Sequence, residues 1–281
     1  MTTAVATALA GAVARLTAAG VDRPRDEALR LMALALRTDR GGVLARHPDP
    51  LPPAEAAGFE ALLARREQRE PFQYLTGEQE FRGLAMAVDP RVLIPRPETE
   101  DVVEVVLALP PPEGGLVLDL GTGSGCIAVA VAVARPDLTV AALDRSSGAL
   151  EVARENARRH GAAVVFEEGD FASPPSSWEG RASVVVSNPP YVSREEWEGL
   201  DPEVREHEPK LALVPGESGL EAYEALMPSA ARLLLPGGSL VLELGWRSAA
   251  AVRALALQHG FQALHVHDDE RGIPRILEAR R

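Results

Sequence analysis

Apolar residues recur at three- and four-residue spacing over residues 3–19, where Gly20 ends the run, then over 26–37 behind Pro24, and over 53–69 up to Pro71. That period puts an apolar stripe on one side of a helix. Residues 1–73 therefore read as a small helical bundle, with the interspersed acidic and basic residues on a solvated face. The pattern changes over 74–97. Thr76-Gly77 and Asp89-Pro90 are turn signals, and the stretches 80–88 and 92–94 read as two short strands of a hairpin connecting domains. Pro95 and Pro97 then forbid a helix before Glu98, acidic residues suit its first turn, and the helix predicted over 98–109 is closed by prolines at 110–112.

From residue 98 to 281 strand and helix patterns alternate. Strands are predicted at 116–120, 138–143, 163–166, 184–187 and 240–244. Helices follow at 126–135, 146–160, 220–235 with Pro228 inside, and 249–259. This alternation is the signature of a parallel sheet covered by helices on both faces. The last two strands, 263–267 and 275–279, are close enough in sequence to pair antiparallel. The expected class is α/β, a mostly parallel seven-stranded sheet with its last strand antiparallel, preceded by the bundle and the hairpin. Residues 192–219, rich in charge and proline, have no regular period.

Composition narrows the function classes. The 281 residues suffice for one large and one smaller domain, and 46% hydrophobic with 25% charged residues is ordinary for a soluble globular protein. No apolar run reaches membrane-spanning length and no basic segment precedes Arg15, so neither a transmembrane helix nor a signal peptide is expected. The single cysteine, Cys126, excludes an internal disulfide and fits a cytoplasmic location. A net charge of −12 counts against a protein whose main work is gripping a nucleic-acid backbone.

Chemistry concentrates where predicted strands end. Val184-Val185-Val186-Ser187 runs into Asn188-Pro189-Pro190-Tyr191, and two prolines without N–H groups must end the strand there. The carbonyls of Asn188 and Pro189 and the Asn188 side-chain oxygen become convergent acceptors beside the flat wall of Tyr191, a site suited to a planar group bearing NH2. An Asn-Pro turn that merely closes a strand has the same spacing. Upstream, Gly121-Thr122-Gly123-Ser124-Gly125 joins a strand to a helix N-terminus, where glycines permit close ligand approach. The dinucleotide fingerprint would need glycine where Cys126 stands. Asp144, ending the second strand of the sheet, can accept from vicinal ribose hydroxyls. Asp119 can hold the turn or meet an ammonium group. Asp170 and Phe171 can accept from an exocyclic amine and stack on a base. Each alone can be a cap; together they describe a nucleoside pocket.

These motifs resemble the class I S-adenosylmethionine-dependent methyltransferases acting on planar nitrogens, with a Rossmann-like domain over 98–281. Residues 71–81 and 92–100, with the helical N-terminal domain, are similar to the release factor glutamine methyltransferases, the PrmC/HemK family. The resemblance implies methylation of the glutamine in the Gly-Gly-Gln motif of class I peptide chain release factors, the bundle holding that protein substrate. It further implies that Gly121, Thr122, Gly123, Ser124 and Gly125 contact the cofactor's methionine moiety, Asp144 the ribose and Phe171 the adenine, with Asp170 nearby and Thr99 and Glu100 close. Asn188 and the Pro189 carbonyl would bind the glutamine NH2, Pro190 and Tyr191 completing the wall. No metal, membrane or stable nucleic-acid partner is implied. A nucleic-acid amino methyltransferase using the same Asn188 logic, and a cofactor-binding module without turnover, remain the alternatives. Cys126 reads as a small packed residue, His265 and His267 as strand-end polar groups, and Asn156 as ordinary helix surface.

Overall fold

The computed structural model describes residues 3–281. The chain divides into two compact units, residues 1–77 with 201–207, and residues 78–200 with 208–281.

In the first unit, helices Val5–Ala18, Pro24–Ala35 and Pro53–Glu67 follow the predicted apolar periods. Two short helices, Arg40–Ala45 and Phe72–Thr76, lie where the period is too brief to register. Leu9, Leu16, Leu31, Met32, Phe59 and Leu63 interlock as its core. The charged residues are not all a solvated face. Arg66 is buried, donating to Glu27 at 2.5 Å and to Glu203 at 2.9 Å, and Arg69 donates to Glu203 at 2.7 and 2.6 Å. Glu203 belongs to the helix Pro202–His207, so a segment from the irregular stretch 192–219 is built into this unit by ion pairs. Buried charge of this kind persists only when paired, and period analysis cannot see a partner 137 residues away.

The second unit opens with a hairpin, β1 (Glu78–Phe81) and β2 (Leu84–Ala87). Both strands fall earlier than predicted, and residues 92–94 are not a strand. The turn is Arg82-Gly83, both at positive φ, rather than Asp89-Pro90. The hairpin groups with this unit instead of standing apart as a connector. Phe81 and Met86 are fully buried in the core beneath the sheet.

The main sheet comprises β3 (Leu116–Leu120), β4 (Thr139–Asp144), β5 (Val164–Glu168), β6 (Ala182–Ser187), β7 (Leu234–Glu243), β8 (Gln262–Asp268) and β9 (Pro274–Arg280). Their order is β5-β4-β3-β6-β7-β9-β8. The first five pair parallel, and β9 runs antiparallel to both β7 and β8. Helices Pro97–Ala108 and Cys126–Ala134 cover one face through Val102, Val103, Ile127 and Val131. Helices Glu221–Leu233 and Ala249–Gln258 cover the other through Tyr223, Leu226, Ala230 and Val252. Every residue of β6 is buried, as a central strand of a doubly covered sheet must be. Strand order reverses between β3 and β6, and crevices open at the carboxyl ends of such neighbours.

Candidate active site

A cavity of about 330 Å³ lies at the carboxyl ends of β3, β4, β5 and β6, lined by Gly121 to Ser124, Asp144, Asp170, Phe171, Asn188 and Pro190. Thr99 lines it from the helix Pro97–Ala108, and Pro209, Leu211, Ala212, Val214 and Pro215 from the stretch expected to be irregular. That segment is fixed beside the cavity by Glu208, whose buried carboxylate accepts from Ile94 N–H at 3.1 Å and from Arg96 at 2.6 Å.

The glycine turn is held from below and from the side. Gly121 and Thr122 donate to the Leu143 carbonyl at 2.8 and 3.0 Å, and the Thr122 hydroxyl donates to Asp119 at 2.6 Å. Gly125 caps the following helix with φ of +79°, and a Cβ there would stand 3.0 Å from that of Ala153. A side chain is excluded at that position on both counts. Asp119 is buried with its second oxygen unpartnered, and burial pushes its carboxyl up to about 7. It holds the loop rather than lining the cavity.

Asp144 accepts from Gly123 N–H at 2.8 Å and from Ser146 N–H at 2.9 Å, one bond on each oxygen. Each oxygen keeps a lone pair for a hydroxyl donor. Burial raises its carboxyl above the ordinary range, opposed by those backbone bonds. Asp170 turns one oxygen to Ala172 N–H, and the Phe171 ring lies 3.9 Å from where a Cβ on Gly121 would be. The cavity thus offers hydroxyl acceptors at one point and an aromatic wall at another, which fits the ribose and base of a nucleoside cofactor.

At the other end, Asn188 donates from Nδ2 to the Thr99 hydroxyl at 3.1 Å, and Thr99 donates to Glu243 at 2.7 Å. Tyr191 donates its hydroxyl to the other oxygen of Glu243 at 3.0 Å. Burial and the Glu243 charge push the Tyr191 phenol well above its usual range, so it stays a protonated donor. Its ring packs against Gly245, where a Cβ would approach to 3.0 Å. Gly125, Pro189 and Tyr191 do not line the cavity; the first caps, and Tyr191 braces the strand end from behind.

Three residues were outside the sequence reading or misread by it. Glu243 is a carboxylate inside the buried run Leu240-Val241-Leu242-Glu243-Leu244, and a charge in such a strand is itself the signal. Asn156 is fully buried, not surface: its amide donates to the carbonyls of Ala87 and Ser124 and accepts from Ala87 N–H at 2.7 Å. It falls on the stripe Ala149, Ala153, Asn156, at helical spacing, which marks it as inward. Glu100 does not line the cavity and accepts from the Arg82 N–H. Cys126 is buried, its thiol pushed up to about 12, and His267 bonds Glu278 at 3.1 Å.

Comparison with known proteins agrees with this architecture. Residues 7–77 match the PrmC N-terminal domain model and residues 104–200 the methyltransferase small domain model. A Geobacter sulfurreducens protein named release factor glutamine methyltransferase is 43% identical over 93% of this chain and 91% of its own. One of the same name from Cereibacter sphaeroides is 44% identical over 98% of each. Among solved structures, a methyltransferase from Pyrococcus furiosus matches in fold, with TM-score 0.52 and 20% identity over 71% of this chain and 89% of that one.

Proposed function

The chain belongs to the release factor glutamine methyltransferase family, and from that premise we propose that it methylates the side-chain amide nitrogen, N5, of the glutamine in the Gly-Gly-Gln motif of class I peptide chain release factors. S-adenosylmethionine supplies the electrophilic methyl. The observation that carries this reading is the meeting of Asn188 with the glycine turn and Asp144 around one cavity.

An amide nitrogen is a weak nucleophile because its lone pair is delocalised into the carbonyl. Asn188 Oδ1, from the cavity lining, and the Pro189 carbonyl, next to it in sequence though outside that lining, would accept from its two N–H groups, fix its plane, and favour electron density on nitrogen as it attacks. The new N–C bond forms as the methyl–sulfur bond breaks, the sulfur keeping the electron pair. Nitrogen acidifies as that bond forms, so its proton leaves late to an adjacent acceptor or water. Tyr191, donating to Glu243, holds the wall and takes no proton. The Asp144 oxygens hold the ribose, Gly121 to Ser124 the methionine moiety, and Phe171 the adenine. The helical unit serves recognition of the release factor, which is met in the cytoplasm.

The test is to incubate the protein with S-adenosylmethionine and a release factor of the same organism and to map the added methyl by mass spectrometry. Modification of the Gly-Gly-Gln glutamine, abolished by Asn188→Ala, is expected. Transfer to DNA or RNA instead would replace the substrate and leave the fold untouched.

A further inference from the structure

Glu243 is a buried carboxylate that the transfer chemistry does not use, yet it stands two hydrogen bonds from Asn188. Burial raises the Glu243 carboxyl above its usual range, and with that carboxylate ionised hydrogen counting along the path has one solution. The Thr99 hydroxyl carries a single hydrogen, and the ionised Glu243, 2.7 Å away, can only accept it. The Thr99 oxygen is then left solely as an acceptor toward Asn188. Asn188 must present its NH2 to Thr99, which turns its Oδ1 the other way, toward the cavity. An asparagine amide is nearly symmetric in shape, so packing alone does not choose between its two orientations. Glu243 is buried and outside the lining of the cavity, so water does not compete with Thr99 for its carboxylate.

We propose that Thr99 and Glu243 are positioning residues that set the polarity of the Asn188 amide, so that an acceptor and not a donor faces the substrate nitrogen. The proposal rests on the reading of Asn188 given above. Tyr191 draws on the same carboxylate from its other oxygen, at 3.0 Å, so both residues flanking the proline pair take their direction from one group. With glutamine at 243, one of its two terminal atoms becomes a donor. Facing Thr99, that donor reverses the hydroxyl, and Asn188 flips its NH2 into the cavity, where it opposes the NH2 of the substrate.

The experiment uses Glu243→Gln, Thr99→Val and the double variant in the full chain, with Asn188→Ala beside them. Turnover at saturating cofactor and release factor, cofactor Kd and melting temperature are all measured. Each single variant is expected to lose about ten- to a hundredfold in kcat, with cofactor Kd within about twofold. The double variant is expected to fall no further than the worse single, because both break one path. Wild-type turnover is also expected to fall on the acid side as Glu243 protonates, and Glu243→Gln to lack that limb. The groups facing Glu243 are the Thr99 and Tyr191 hydroxyls, with the Cys126 thiol, the Tyr223 phenol and the charges of Glu98 and Arg275 beyond them; none of these is altered in the glutamine variant. Wild-type kcat in both single variants, or additive losses in the double, overturns the proposal while an inactive Asn188→Ala keeps the substrate-binding reading. An active Asn188→Ala removes that reading and this one with it.

Discussion

At the β3 and β4 end of the cavity the groups offered to a ligand are mostly main chain, shaped by a turn whose glycines fall within five residues and whose amides bond the neighbouring strand. At the β6 end they are side chains. Asn188 is oriented by Thr99, 89 residues earlier, and Thr99 by Glu243, 144 residues later. On the proposed function, the first end binds by presenting a surface that any intact turn would present, and the second works only while a chain of hydrogen bonds points the right way. Cofactor retention and reactivity should therefore separate under mutation.

The largest separation is expected at Asn188. Truncation to alanine removes an acceptor realised at the reacting nitrogen and should lower turnover by about 10³-fold, the scale for loss of one preorganised polar contact. Calorimetric titration of the cofactor should show Kd changed by less than about threefold. Loss of cofactor binding in step with turnover would mean that the two ends are one structural unit.

The same contrast explains what could be read in advance. The parallel sheet, the glycine turn and Asp144 follow from local periods and from residues adjacent in sequence, and they stand where expected. The Asn-Pro-Pro-Tyr strand end was also visible, because two prolines can only terminate a buried strand. What binds its side chains was not. Thr99 sits in the first turn of a helix and Glu243 at the end of another strand, and only the fold makes them neighbours. Asn156 was misread for the opposite reason: its polarity outweighed its place on the apolar stripe. The hairpin was displaced because Arg82 and Gly83 form its turn without the Asn-Gly or Asp-Gly pair that announces one.

The glycine-turn end has one charged weakness, Asp119. Its carboxyl is raised to about 7 by burial, against about 3.9 when unfolded. The folded chain therefore binds the proton more tightly than the unfolded one. This contribution is complete below about pH 4 and is lost as pH rises through about 7. Asp119→Asn keeps an acceptor for Thr122 without a charge, so it should remove this slope. In urea titrations of the cofactor-free protein it should be more stable than the wild type by on the order of 4 kcal/mol near pH 8.5, and nearly equal to it only below about pH 4. Parallel pH curves for the two proteins would place the perturbed proton elsewhere.

Asn156 tests whether the main-chain end is supported by a side chain after all. Its amide joins Ala87 of β2 to the Ser124 carbonyl at the turn. Asn156→Ala leaves buried backbone groups without partners and should cost about 2 kcal/mol, read from the urea midpoint. Cofactor affinity should weaken with it, since the turn loses an anchor. A stability loss without any change in affinity would show that the turn is fixed without Asn156, by its bonds to Leu143, Asp119 and Asp144.

The smallest effect is expected at Asp144, where the two kinds of construction meet. Its carboxylate satisfies two main-chain amides and has one lone pair left on each oxygen. Asp144→Asn keeps the shape but turns one oxygen into a donor, which must face either Gly123 N–H or Ser146 N–H. One backbone bond and one acceptor for a ribose hydroxyl are lost together. Cofactor Kd should rise about tenfold, roughly 1.4 kcal/mol, while kcat at saturating cofactor stays within about twofold, because nothing at Asn188 has moved. A fall in kcat that saturation does not repair would show that the turn steers the reacting methyl as well as holding the nucleoside. The division between a main-chain end that binds and a side-chain end that reacts would then fail at its boundary.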